Sequence, residues 1–481
     1  MTRLVGAFDS WSAWWSWVTI ALKRQEQRAS WADQYNTLKA YYLNNGLYEV
    51  LDALLASLGA STVELRPLRN PAFRVVEFYA AKLWPGALPE ALPVVAENEA
   101  LAPAIVQLWR WSNWGSEKQA AARWFACYGD MFLKVATRSD GSGRPVRVFL
   151  QNLEPQYVTD FDADERGFLI YVRIDIPRWR REDDQVKAYT HTEVWTKAKY
   201  WRWEHTKPVT TPVAQLGTPA EVTPLAQFGI DFVPVVWQPF RNIGDERGCG
   251  AFTLTLDKID EVNRQATRLH QMLFRYNRPL WTAAANAMDP QGRPLPPPRL
   301  GTAEQDGQLE MSDDTVLRLP GLTTLQSLVP PLNYEAALRV LEAQMAEVQR
   351  DLPELAYYEL RQQEVSGRAA NILLGDAVDR LLEARGNAET ALIRAQQMAL
   401  TIGQNLGLFA GLGTYEAGDF EHSFALRPVL TPSEQERAEL VGTWVQAGLP
   451  LLSALRRSGE NAEELIRVEE ELQADQVNRR Q

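Results

Sequence analysis

The chain has 481 residues, length for about three domains of ~150 residues each, and 46% of them are apolar, which excludes a disordered or fibrous protein. Its 50 Lys and Arg stand against 61 Asp and Glu, a net charge of −11. That excludes a broad basic surface wrapped around nucleic acid but tolerates a conduit through which a polyanion slides. Two cysteines, Cys127 and Cys249, exclude a disulfide-dense scaffold and a Cys-rich metal module and point to synthesis in a reducing cytoplasm.

In chain order, Leu4 to Leu22 is apolar-rich, but Asp9 interrupts it, Arg3 is its only early cation, and Trp11, Trp14, Trp15 and Trp17 crowd its middle. A signal or membrane span fits this poorly; an amphipathic helix docked on the body or on a partner fits better, and the chain is expected to be soluble. Helical spacing runs from Ala29 to Leu58, then over Pro71 to Leu83 and Glu97 to Tyr128. The period then changes. Met131–Ala136, Val146–Leu150, Tyr157–Asp162, Phe168–Ile174, Glu193–Thr196 and Tyr200–Trp203 are short β-branched and aromatic runs separated by turn residues, which predicts an antiparallel sheet of hairpins. Lys207 to Pro224, with four prolines, reads as an exposed loop, and Phe232 to Trp237 as a further strand.

After Gly248 and Gly250, the apolar positions Phe252, Leu256, Ile259, Val262, Ala266, Leu269, Leu273 and Tyr276 step by four and three, predicting a helix from Ala251 to Tyr276 of roughly 40 Å. Tyr334, Leu338, Leu341, Met345, Val348, Leu352 and Leu355 repeat those steps, so a second long helix is expected to pack on the first or on its copy in a neighbouring chain. Between them Asn277–Pro331 is proline-rich and locally acidic, an insert that forms a small lobe with strands at Leu280–Ala284 and Thr315–Leu319. A helical pattern from Arg368 to about Phe409 is long enough that a bend near Gly375 or Gly386 is expected. Phe420–Leu426 returns to a sheet, and Pro432–Leu472 forms two charged helices broken at Gly448-Leu449-Pro450.

Chemistry-bearing motifs are sparse. Asp160, Asp162 and Asp164 alternate as in a calcium loop, but its sixth position lacks glycine and its twelfth is Tyr171, so a solvated turn is the better reading. His191 and His205 flank Trp195, Trp201 and Trp203 without the further ligands zinc needs, and His270 and His422 stand alone. No P-loop, dinucleotide-binding glycine pattern, nucleophile elbow or two-histidine zinc helix occurs, so no catalytic residue, metal or cofactor is assigned. The 17 tryptophans admit a carbohydrate-active reading, with stacking on sugars and paired carboxylates, but their periodicity favours core and subunit-interface roles.

Three stretches together resemble the portal proteins of tailed double-stranded DNA bacteriophages, of the siphophage type, over nearly the whole chain. They are Gly248-Cys249-Gly250-Ala251-Phe252 with Asp257-Lys258-Ile259-Asp260-Glu261-Val262-Asn263 and the exit Tyr276-Asn277-Arg278-Pro279; Leu352-Pro353-Glu354-Leu355 followed by Ser366-Gly367-Arg368-Ala369-Ala370-Asn371; and, more loosely, Tyr128-Gly129-Asp130-Met131 with Leu153-Glu154-Pro155. Before Ser366 the run Arg361-Gln362-Gln363-Glu364-Val365 is more charged than is usual in that family.

The resemblance implies an α+β, mainly helical fold that assembles as a ring, typically of twelve copies, around a DNA channel at one capsid vertex. Residues 1–247 would be the wing, 248–276 and 333–350 the stem helices, 277–332 the clip, 351–366 the tunnel loop, 367–430 a long wing helix with a returning strand, and 431–481 the crown. Stem packing would fall to Phe252, Leu256, Ile259, Val262, Leu269, Leu273, Leu338, Leu341, Met345 and Val348, burial that side-by-side assembly completes. Sequence-independent phosphate contacts would come from Lys258, Arg264, Arg268 and Arg275 on the stem and from Arg361, Gln362, Gln363 and Arg368 at the tunnel loop, where Glu364 also stands; for each cation an inter-subunit ion pair or a solvated face is the plain alternative. Arg293, Arg299, Glu304, Asp306, Glu310, Asp313 and Asp314 would form the clip, where the terminase large subunit and head-completion proteins dock. The major capsid protein and a scaffolding protein are further implied partners, and the virion, assembled in the host cytoplasm, the implied location. A minor capsid or head-tail adaptor ring is the main alternative, a carbohydrate-active enzyme the lesser.

Overall fold

The computed structural model describes residues 31–44, 69–182, 185–277, 281–285, 290–293, 323–327, 334–360, 372–409, 411–427, 429, 434–458 and 467–468. Within these limits the chain is α+β and divides into two units: Met1–Val50, Asn70–Leu256 and Gln349–Gln481 form the first, Leu51–Arg69 and Asp257–Val348 the second. The Trp-rich segment Leu4–Leu22, the expected strand Thr315–Leu319, residues Arg361, Gln362, Gln363, Glu364 and Arg368, and residues Arg299, Glu304, Asp306, Glu310, Asp313 and Asp314 lie outside the described residues.

In the first unit, helix α1 covers residues 31–43. Helix α2 (Pro71–Lys82) starts where its sequence says it should: the Asn70 side chain caps the amide of Ala72, and Pro71 needs no donor in the first turn. The single pattern over Glu97–Tyr128 is two helices, α3 (Leu101–Trp111) and α4 (Trp114–Tyr128). The break has a local cause. Asn113 takes a left-handed φ of 51°, and the Ser112 hydroxyl donates to Leu108 O (2.6 Å) while accepting from Leu150 N (2.9 Å). The short strand β1 (Val94–Val95) precedes α3.

The hairpins form two antiparallel sheets, where one was expected. Strands β2 (Asp130–Ser139), β3 (Pro145–Leu153), β4 (Val158–Ala163), β5 (Leu169–Glu182), β6 (Gln185–Thr196), β7 (Lys199–His205), β8 (Glu221–Pro224) and β9 (Val235–Pro239) order as β3-β2-β9 and β4-β5-β6-β7-β8. A 3₁₀ turn at Pro155–Tyr157 interrupts the ladder after β3, because Pro155 has no amide to donate. The end of the Lys207–Pro224 loop is itself a strand, paired with β7. Asp164 closes the β4–β5 turn by accepting from Arg166 N (2.9 Å) and Phe168 N (2.8 Å), the solvated-turn role expected of it.

One buried ion pair joins the sheets: Lys134 on β2 lies 2.5 Å from Glu193 on β6, which also meets His191 Nε2 (3.1 Å) and accepts from Trp195 Nε1 (3.0 Å). Burial alone would push Glu193 up, but the Lys134 ammonium and these hydrogen bonds together outweigh it and hold the carboxyl at about 2.

The second unit carries α5 (Leu256–Asn277) onward from its first residue, β10 (Trp281–Ala285), β11 (Thr323–Ser327) and most of α6 (Tyr334–Asp351). Helix α5 is shorter than expected, about 33 Å at ~1.5 Å per residue, because Thr253–Thr255 forms a 3₁₀ turn ahead of it. Strand β10 matches the expected Leu280–Ala284; its antiparallel partner is β11.

Back in the first unit, α7 (Leu355–Leu360) leads to α8 (Gly375–Asn405), which packs on β2, β3 and β9. Its face repeats Ala377, Ala384, Ala388, Ala391, Ala395 and Ala399, all buried, so little side chain separates helix from sheet. Gly375 is the helix's first residue and not an interior weak point. Strand β12 (Ser423–Phe424) returns to pair with β1, and α9 (Glu434–Gln446) and α10 (Leu451–Ser458) flank the expected Gly448-Leu449-Pro450 break.

The ion pair between the sheets sets an acid-side prediction. A carboxyl held at about 2 against an ordinary 4.5 contributes stability that is present above pH 4.5 and lost as pH falls through 2. Glu193→Gln is expected to abolish that slope and to lower stability at pH 7 by up to about 3 kcal/mol, measured by denaturant unfolding across pH 2–7.

Candidate functional site

The motif residues converge where the chain leaves the first unit for α5 and where it returns from α6. Helix α4 ends at Gly129 (φ 86°), and the segment Gly248–Gly250 crosses it backbone to backbone. A Cβ on Gly129 would stand 2.5 Å from Gly250 N, and one on Gly248 would overlap Gly129 O. Asp130, wholly buried, locks the crossing by accepting from Gly248 N (2.9 Å), Trp237 Nε1 (2.7 Å) and Tyr35 OH (2.6 Å). Arg247 next to it donates to Val158 O (2.7 Å) and stacks on Phe161, with ring and guanidinium 4.6 Å apart.

A second cation, half-buried, holds both ends of the α5–α6 excursion. Arg380 on α8 donates to Ala251 O (2.8 Å), just before α5, and to Asp351 O (2.9 Å), the last residue of α6. Its Nε sits 3.3 Å from the carboxylate of Glu354, which is 0% exposed and also accepts from Tyr79 OH (2.6 Å). Burial pushes the Glu354 carboxyl up, against the pull of Arg380 and the Tyr79 hydroxyl, and burial pushes Tyr79 up as well. The arginine floors a cleft of about 420 Å³ whose walls include Arg241, Arg350, Asp351 and Asp376. The arrangement fixes two chain entries at one point, through two carbonyls and one carboxylate.

Of the expected stem residues, Phe252, Ile259, Val262, Leu341 and Val348 are buried and Leu256, Leu269, Leu338 and Met345 half-buried; the side chain of Leu273 is outside the described residues. Lys258 pairs with Glu347 (2.8 Å) and Arg264 with Glu261 (2.5 Å), both within the chain. Arg268 and Arg293 are exposed, and the Arg275 side chain is not among those described. Asn263, buried in the second unit, accepts from Arg69 N (2.8 Å) and donates to Arg69 O (3.2 Å), which gives the motif's asparagine a backbone-pinning role.

Sequence reasoning missed Arg380, Tyr79 and Arg247. The available signal for Arg380 was a cation one turn from Ala377 and Ala384, whose period marks their face as core. Among the described residues no group of three or more His, Cys, Asp or Glu is placed to hold a metal, and no helix is long and apolar enough to cross a membrane.

Comparison with solved structures finds chains of gene transfer agent particles. One is in the neck of the native particle computed with C12 symmetry, 14% identical, covering 81% of this chain and 89% of that one at a TM-score of 0.43. Another is in the neck of the empty particle computed with C6 symmetry, 14% identical, with 82% and 90% covered and a TM-score of 0.46. A third, from the native virion, is 14% identical, with 85% and 98% covered and a TM-score of 0.39. No family model matches the chain, and no curated protein does.

Loss of Arg380 should be severe because it strands a buried carboxylate. Arg380→Ala is expected to lower the unfolding free energy by about 3–5 kcal/mol. Arg380→Lys should recover less than half, since an ammonium cannot reach two carbonyls and a carboxylate in one plane. Adding Glu354→Gln to Arg380→Ala should restore part of the loss, all three read by urea unfolding.

Proposed function

We propose that this chain is a phage portal protein: a subunit of a ring, about a dozen copies around, that conducts double-stranded DNA through a capsid vertex during packaging and ejection. The observation that carries this reading is the double anchorage of the α5–α6 excursion. Gly248–Gly250 and Arg380 set where the excursion departs and returns, at the motif residues Gly248, Gly250 and Glu354 on which the resemblance rests. A channel subunit needs this, because every copy must present its helices at the same angle for a ring to close.

In this reading α5 and α6 are the stem, residues 277–332 the clip that meets the terminase large subunit and the head-completion protein, residues 351–366 the tunnel loop, and 431–481 the crown. The major capsid protein and a scaffolding protein would meet the ring from outside. DNA carries about one charge per 1.7 Å, and a ring of subunits each at −11 repels it overall. Lys258 and Arg264 are paired with carboxylates, which further weakens their hold on phosphate and suits passage over capture. Force would come from a separate motor.

The purified full chain is expected to give a ring of about twelve copies with an axial hole, by native mass spectrometry and electron-microscopic class averages. A monomer or dimer at micromolar concentration would overturn the reading.

A further inference from the structure

The hairpin of β2 and β3 outruns its sheet and ends in three arginines. Pairing of β2 with β9 stops at Lys134, and from Ala136 onward β2 pairs with β3 alone. Arg138 stands directly opposite Arg147, on the hairpin face that also carries Ala136 and Phe149, and Arg144 leads out of the turn. All three arginines are exposed, and among the described residues none lies within ion-pair distance of a carboxylate. Asp140, the acid nearest in sequence, is committed to the turn: it accepts from Ser142 N (2.9 Å), Ser142 Oγ (2.6 Å) and Arg144 N (3.0 Å). Like charges facing each other across a ladder repel, so the free hairpin is left with a strain that an anionic partner would relieve.

Carboxylates in the same condition line the first half of α8. Asp376, Asp379 and Glu383 recur at steps of three and four, which puts them on one face of the helix, and all three are exposed. Among the described residues none of them makes a side-chain hydrogen bond or ion pair, and like charges at these steps repel as the arginines do. Leu382, 48% exposed, lies beside them. The two surfaces also match in length. Asp376 to Glu383 spans ~10 Å at ~1.5 Å per residue, and Arg144 to Arg147 spans ~10 Å at ~3.3 Å per residue. Asp376 borders the Arg380 cleft as well, so Asp379 and Glu383 are the pair whose charge is unshared.

The hairpin cannot reach this face of its own α8. The helix meets β3 near its far end, where a Cβ on Gly403 would stand 3.2 Å from Val148, and Asp379 and Glu383 lie ~36 and ~30 Å back along the helix at ~1.5 Å per residue. We propose that the arginine hairpin of one copy docks on the acidic face of α8 in the next, with Arg138, Arg144 and Arg147 meeting the three carboxylates and the aliphatic stems of the arginines covering Leu382. Each surface relieves the self-repulsion of the other. Hairpin and helix differ, so the contact is heterologous: each copy gives one hairpin and receives one, and repetition closes a ring where a two-fold contact would stop at a dimer. The inference rests on the ring reading above and names the contact that would close it.

Charge exchange in the full chain tests this. Arg138→Glu with Arg147→Glu replaces one like-charge pair by another, and Asp379→Arg with Glu383→Arg does the same on the helix, so the repulsion within each copy is kept while the attraction between copies is reversed. Each pair alone is expected to weaken assembly at least tenfold, read by native mass spectrometry as the concentration at half assembly, and all four substitutions together to restore it. Assembly unchanged by either pair, or not recovered by the four together, would overturn the docking while leaving the portal reading intact. Absence of a ring from the unsubstituted chain would overturn both. Crosslinking reads the same contact with no charge changed, because both native thiols are buried and burial pushes Cys127 up to about 12, out of reach of maleimides at neutral pH. Gly141→Cys, where an added Cβ meets nothing within 4 Å, is combined with Leu382→Cys. A flexible bis-maleimide is expected to give a covalent ladder of dimer, trimer and upward in the double variant and none in either single variant. A ring without the ladder, or dimers from Gly141→Cys alone, would sink the proposal.

Discussion

Two stretches of main chain touch at Gly129 and Gly248–Gly250 with no side chain between them, and much of the first unit follows from that contact. It ends α4, aims β2 and sets the point from which α5 departs. Close approach of this kind is open only to glycine, and it leaves amides and carbonyls that need partners. Asp130, the residue after Gly129, takes the Gly248 amide, and Phe240 N donates to Gly129 O at 2.7 Å. The crossing is therefore hydrogen-bonded as well as close-packed, and a shift of either strand would leave a buried group unsatisfied.

Buried and half-buried arginines repeat one task through the first unit. Arg173 donates to Thr211 O and Val209 O, Arg247 to Val158 O, Arg380 to Ala251 O and Asp351 O, and Arg385 to Arg427 O and Lys82 O. In each case one guanidinium binds main-chain carbonyls in a loop or at the end of a helix or strand. Five donors in a rigid fork suit this better than an ammonium does. Burying such a charge is unfavourable unless it is fully met, so these sites define position more than they add net stability. Arg380 is the extreme instance, because the segments it ties, at Ala251 and Asp351, are a hundred residues apart in sequence.

Most of the elements were legible as periodicity. The period-two runs from Met131 to Trp203 became strands, the three-four seams became α5 and α6, and Asn70-Pro71 marked a helix start, because each depends on residues close in sequence. The division into two sheets and the break at Asn113 were not legible. The contacts that fix them include partners far away: Glu193 meets Lys134 across the two sheets, and Leu150 N donates to the Ser112 hydroxyl beside the break. The candidate site was half legible. Its glycines and Glu354 stand in recognisable motifs, while Arg380 and Tyr79 look like an ordinary helix cation and a core aromatic until the fold brings them to Glu354.

Several buried groups titrate away from their ordinary range. Glu193, Glu354, Tyr79 and Cys127 owe their shifts to burial and to partners within the chain. A general acid or base must instead reach a substrate, at a wall where solvent and ligand exchange. Here the perturbed groups sit behind the backbone segments they hold, and the open clefts are walled by exposed or half-exposed carboxylates and arginines. The polar chemistry of these groups is spent on holding neighbouring segments of the chain in place.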